Sequence, residues 1–188
     1  MMVKRTSEHP TNAKLLEYLA EHYGAHLTSN VIKKGSDHLL KVSIEFVNDK
    51  FILEDMDMLG DITALLKDVL YSPFSYSEED QAFFDREKRL LKNRLTSMKD
   101  NYAQRAFESL LETMFDDEPY RILSFGDIEV LEQLTLDDVK AAHADMMANN
   151  DMSILVAGKV DDKVFDALAN VHQLEEPKLY PYKGYPIQ

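Results

Sequence analysis

The feature that most constrains this chain is the run from Ser77 to Phe115, SEEDQAFFDREKRLLKNRLTSMKDNYAQRAFESLLETMF, which contains neither glycine nor proline. So long a stretch without a breaker reads as one long helix. Ser77 followed by Glu78, Glu79 and Asp80 is a helix start, with a hydroxyl cap and acids where the helix dipole favours negative charge. Behind it Phe84, Leu91, Leu95, Met98 and Tyr102 recur at helical spacing and make one apolar stripe that should face a core. Glu87 falls on that stripe, one turn after Phe84 and one turn before Leu91. A carboxylate there must find a cation, a metal, a hydrogen-bond donor or a solvent-filled cleft. The plainer alternative is that the stripe is narrow and Glu87 meets only water, Arg86, Lys88 or Arg94.

The segments on either side supply a sheet and more helices. Pro10, Thr11 and Asn12 open a first helix within Thr6–Tyr23, its buried face expected from Leu15, Leu16, Leu19 and Tyr23, and Gly24 ends it. Ala25–Lys34 and His38–Val47 read as strands joined at Gly35-Ser36-Asp37, an antiparallel hairpin with Leu40, Val42, Ile44 and Phe46 on one face. Asn48-Asp49 begins a helix through Phe51, Ile52, Met58, Ile62, Leu65 and Val69 to Tyr71, broken by Ser72-Pro73-Phe74. After Asp116–Asp127 come a short helix over Ile128–Leu134 and another capped by Thr135. Met152–Val160 reads as a third, central strand, and Asp161-Asp162 caps a last helix to about Val171. Strands and helices are segregated, which predicts an α+β fold with helices packed on an antiparallel sheet. A single domain is expected over 1–174, with the Pro- and Tyr-rich 175–188 an extended linker or arm. Three strands are few for so many helices, so further strands are expected from outside this chain.

The net charge of −13 argues against a nucleic-acid face and against an anionic membrane surface. With no cysteine, disulfides, thiolate metal sites and thiol catalysis are excluded. No apolar run approaches a membrane span and MMVKRTSEHP lacks a signal-peptide core, so a cytoplasmic location is expected.

Candidate chemistry is sparse. His9, His22, His26, His38, His143 and His172 form neither HExxH nor HxxEH, and a capping or solvent-exposed role is expected for each. Glu21-His22 is half of such a motif, but the position four before His22 is Tyr18. There is no GxSxG, P-loop or GxGxxG. The acid runs Glu78-Glu79-Asp80, Asp116-Asp117-Glu118 and Asp161-Asp162 lack calcium-loop spacing and read as helix caps. Met146-Met147 reads as core filler.

Three phrases nevertheless resemble a known family. LLEYLAEHYGAHLTSNVIKKGSDHLLKVSIEF is similar to the helix, Gly-Ala turn and hairpin of the insulinase/pitrilysin-type zinc metallopeptidases and mitochondrial-processing-peptidase-like proteins. FDREKRLLKNRLTSMKDNYAQRA resembles the family segment in which an E-(R/K) phrase opens a long helix. DMSILVAGKVDDKVFDAL resembles its strand ending in Gly before the next helix. The likeness covers nearly the whole chain in order and is greatest to non-catalytic bacterial members.

The resemblance implies one half-domain of the processing-peptidase-like fold. It places Glu87 at the position of the family's third zinc ligand. The two histidine ligands and the general base of the family belong to HxxEH on a preceding helix, which this chain is expected to begin too late to contain. No cofactor is therefore expected in this chain, although zinc serves the active members. The implied role is a non-catalytic lobe that helps enclose a peptide or pairs with another lobe or an active homologue. Two other readings stand beside it: a free-standing interaction module unrelated to proteolysis, and a fragment of an active zinc metalloendopeptidase. Self-association is expected, through an open strand edge or through exchange of the N-terminal segment or the tail.

Overall fold

The computed structural model describes residues 3–34, 37–52, 56–74, 78–116, 118–122, 126–158 and 162–172. The predicted turn at Gly35-Ser36, the Ser77 cap, the end of the third strand, Asp161 and the tail at 175–188 lie outside them. The described residues form an α+β arrangement of seven α-helices and one two-stranded antiparallel sheet. Helix α1 (Asn12–Glu21) starts where the Thr11 side chain accepts from the Lys14 amide, and it ends at His22, whose backbone N–H donates to the Tyr18 carbonyl. Tyr23 and Gly24 then take left-handed backbone (φ 54° and 71°), which turns the chain into the hairpin. Strands β1 (His26–Lys34) and β2 (Asp37–Glu45) pair with Ser29 opposite Val42 and Leu27 opposite Ile44.

The first core lies where α1, the hairpin and α2 (Met58–Tyr71) meet. Leu15, Leu19, Ala25, Met58, Ile62, Leu65 and Val69 are buried there, with Leu27, Val42 and Ile44 packed against them. The buried side of α1 runs through Leu15, Tyr18, Leu19 and His22, so Leu16 and Tyr23 are exposed, contrary to expectation. They sit about one step of 100° off the spacing that the buried residues follow. Nor does one helix run from Asn48 to Tyr71. A single 3₁₀ turn (Asp49–Phe51) comes first, and α2 begins anew where Asp57 accepts from the Gly60 amide.

A second, smaller core holds Phe74, Phe84 and Leu136, with Leu134 and Val139 against it. It joins α3 (Glu78–Lys99) to α5 (Ile128–Gln133) and α6 (Leu136–Asn149). The long run does not make one helix. It breaks at Asp100-Asn101, where the Asn101 side chain accepts from the Gln104 amide and caps α4 (Tyr102–Met114). An Asn side chain competes well for backbone donors, and here a new cap wins over continuation. Tyr102, expected on the stripe, is therefore highly exposed.

Thr135 and Asp138 form a reciprocal capping box at the start of α6. Met146 and Met147 on this helix are half-buried. Helix α7 (Asp162–Ala169) packs on α2, and Tyr71 meets His172 Nδ1 at 2.5 Å. The predicted third strand is absent from the described part of that segment. Residues 152–158 have no strand pairing, and Leu155 is 88% exposed. A continuous apolar run becomes a central strand only where neighbours exist on both sides, and the described residues supply none.

Candidate functional site

The face that α3 turns inward carries Asp80, Phe84, Glu87, Leu91 and Leu95 at intervals of three and four. Two of its five positions are thus carboxylates. Both are met by cations from one short segment ahead of α1. Lys4 Nζ donates to Glu87 Oε2, and the neighbouring Arg5 guanidinium forms an ion pair with Asp80 Oδ1. Arg86 adds a longer contact of 3.5 Å to the other Glu87 oxygen.

The two pairs differ in setting. Glu87 is half-buried, its side chain 15% exposed, while its Lys4 partner reaches solvent. Arg5 and Asp80 are sealed, with side chains 2% and 0% exposed. The Arg5 guanidinium also lies 4.6 Å from the centre of the Phe83 ring, and Lys140 Nζ stands 3.9 Å from Asp80 Oδ2. Burial lowers Arg5 below the ordinary arginine value; the Glu79 carboxylate opposes this and Arg86 adds to it. The segment is fixed on both sides of Lys4 and Arg5. Val3 packs on the first core, Thr6 is buried, and the Ser7 amide donates to the Ser72 carbonyl at 2.8 Å. Residues 3–7 therefore bind the two cores together.

His22 and His143 serve structure. His22 Nδ1 donates to the Tyr18 carbonyl at 2.7 Å, and its Nε2 lies 3.3 Å from Asp61 Oδ2. Burial, then the Asp61 charge, raises the Tyr18 phenol above its usual value. His143 Nε2 donates to the Leu70 carbonyl at 2.8 Å, which satisfies an acceptor left open at the end of α2. His26 and His38 are exposed on the strands.

These residues do not fit a catalytic zinc ion. Such a site takes three protein ligands and an open position. Among the described residues no three His, Asp or Glu side chains are grouped to hold a metal, and the groups facing Glu87 are an ammonium and a guanidinium. Sequence reasoning singled out Glu87 and missed Asp80, Lys4 and Arg5. The signal was present: Asp80 stands one turn before Phe84 on the same stripe, so it cannot be only a first-turn acid. Two inward carboxylates on one helix call for cations, and Lys4-Arg5 are adjacent ones. Elsewhere, a surface groove of about 620 Å³ opens between α2 and α7 and is lined by Asp49, Asp57, Thr63, Lys67 and Lys163, among others.

No protein-family model matches the chain. Over 181 residues, 95% of its length, it is 25% identical to a protein of Bacillus subtilis (strain 168) described as "Probable inactive metalloprotease YmfF". Its fold also superposes, with a TM-score of 0.73 and 32% identity over 78% of the chain, on the crystal structure of a conserved protein from Enterococcus faecalis V583. The chain spans 42% of the length of the first and 35% of the second. It is thus a distant relative of a metalloprotease-like protein described as inactive. Among the described residues no helix is long and apolar enough to cross a membrane.

Proposed function

We propose that this chain is a non-catalytic lobe of the insulinase/pitrilysin-type metallopeptidase architecture, one that pairs with another lobe and helps enclose a peptide. The observation that carries the reading is the Lys4–Glu87 ion pair. Glu87, which the family resemblance puts at the third-ligand position, is held by an ammonium group, and the neighbouring Arg5–Asp80 pair is sealed from water. A carboxylate so neutralised is a structural group on the inner face of α3. The similarity to a protein described as an inactive metalloprotease supports the same reading. The mixed-charge groove between α2 and α7 is of a size to take a stretch of extended peptide.

The test is cleavage of a mixed-sequence peptide pool by the purified chain with added zinc, followed by mass spectrometry. The reading predicts no cleavage above the buffer control. Cleavage that a chelator abolishes and Glu87→Gln removes would overturn it in favour of an active metalloendopeptidase fragment.

A further inference from the structure

The segment ahead of α1 is held as a bound peptide is held, by its side chains. Among the described residues the backbone of residues 3–7 makes one hydrogen bond beyond its own turn, from the Ser7 amide to the Ser72 carbonyl. Val3 packs on the first core, Lys4 lies on Glu87 and Arg5 on Asp80. The Ser7 hydroxyl then donates to Asp68 Oδ1 at 3.1 Å. The cradle beneath the segment thus presents three carboxylates, Glu87, Asp80 and Asp68, to residues 4, 5 and 7.

Two of the three are answered by cations. The third is not. Asp68 meets a neutral hydroxyl through one oxygen, and its other oxygen, Oδ2, is buried with no hydrogen-bond partner. A buried carboxylate oxygen ordinarily has a donor, and leaving it without one is costly. What the cradle lacks is a cation at the position of Ser7.

We propose that this cradle is a docking site for a basic peptide segment of another molecule, of the pattern Lys-Arg-x-Lys, which the chain's own Lys4-Arg5-Thr6-Ser7 fills incompletely. The site is separate from the groove between α2 and α7 and does not rest on the non-catalytic reading. Each position selects by its chemistry. At the second, the Asp80 side chain is 0% exposed and the Phe83 ring lies 4.6 Å from the guanidinium, a setting for a planar cation that stacks. At the first, Glu87 stands at the rim beside Arg86, and a flexible ammonium reaches it from solvent. At the third, a lysine supplies the charged donor that Asp68 is missing. The resident segment is displaceable at its outer end, because the Lys4 side chain is 43% exposed and such a pair holds weakly.

Two labelled peptides test this by fluorescence anisotropy on the full chain: a copy of residues 3–10 carrying Ser7→Lys, and the same copy with Ser7 kept. The first should bind at least about tenfold more tightly. Lys4→Ala in the protein should tighten it further, since the tethered segment competes at about millimolar effective concentration. Asp68→Asn in the protein should bring the two peptides to equal affinity. Within the chain itself, Ser7→Lys should raise the melting temperature, and should not do so on an Asp68→Asn background. Ser7 is exposed and Asn matches Asp in shape, so unchanged circular dichroism establishes that the variants fold. Absence of binding by the Ser7→Lys peptide to both wild type and Lys4→Ala overturns the proposal. Equal affinity of the two peptides for the wild type overturns it as well, since a second copy of this chain would then serve as partner. So does a melting temperature that Ser7→Lys leaves unchanged or lowers. None of these results touches the peptide-cleavage assay, so the docking site and the non-catalytic reading fail separately.

Discussion

Replacing Asp80 by Asn should be among the most damaging single changes available to this chain. The substitution keeps shape and volume and removes one charge, leaving the Arg5 guanidinium sealed beside Phe83 without its carboxylate. Removing one partner of a buried pair costs about 3–5 kcal/mol, because the survivor stays desolvated. Against a total stability of about 5–15 kcal/mol for a domain, that is a large fraction. The opposite change, Arg5→Met, should cost less. Asp80 still has Lys140 within 3.9 Å, and the methionine stem can keep the apolar contact with Phe83. The double variant Arg5→Met/Asp80→Asn should cost much less than the two single losses together, since neither charge is then stranded. Urea unfolding followed by circular dichroism gives all three values, and the cycle gives the coupling between the two sites. If Arg5→Met proves as costly as Asp80→Asn, or if the two single losses simply add, the pair is not the sealed unit described.

Two further outcomes follow from local geometry. Asp138 Oδ2 accepts from the Thr135 hydroxyl at 2.6 Å and from the Thr135 amide at 2.9 Å, and these bonds hold its carboxyl below the ordinary value of 3.8. Stability from the capping box is therefore complete above that value and lost as pH falls through the lower folded value. The difference in urea midpoint between the wild type and Asp138→Asn should accordingly be constant near neutrality and shrink only in that acid range. Gly24→Ala should lower stability by about 1 kcal/mol through its left-handed backbone alone, because a methyl group there meets no atom within 4 Å. A melting temperature unchanged in Gly24→Ala would contradict this.

Much of the fold could be read from local pattern. Thr135 with Asp138 three residues later, Gly24 after the first helix, and the alternation of Val42 and Ile44 each carry their structural meaning within a few residues. What could not be read depended on partners distant in the chain. Asp80 read as a first-turn acid because nothing near it in sequence shows that Arg5 and Lys140 close over it. Asn101 read as a polar member of one long helix, since the choice between continuing and recapping turns on the packing of α4. Met152–Val160 read as a central strand from its apolar continuity, but a strand needs neighbours, and the described residues offer none. Glu87 was legible as an anomaly on its stripe. Its partner was not, because Lys4 is 83 positions away.

The central claim is that Glu87 is a structural carboxylate held by Lys4, with no catalytic metal site around it among the described residues. Equilibrium dialysis of the purified chain against micromolar zinc, with metal measured by elemental analysis, tests it most directly. Surface carboxylates and histidines bind weakly, so the account predicts far less than one zinc per chain after a brief wash, with no change on Glu87→Gln. One tightly held zinc per chain, lost in Glu87→Gln and increased in Lys4→Ala, would contradict it.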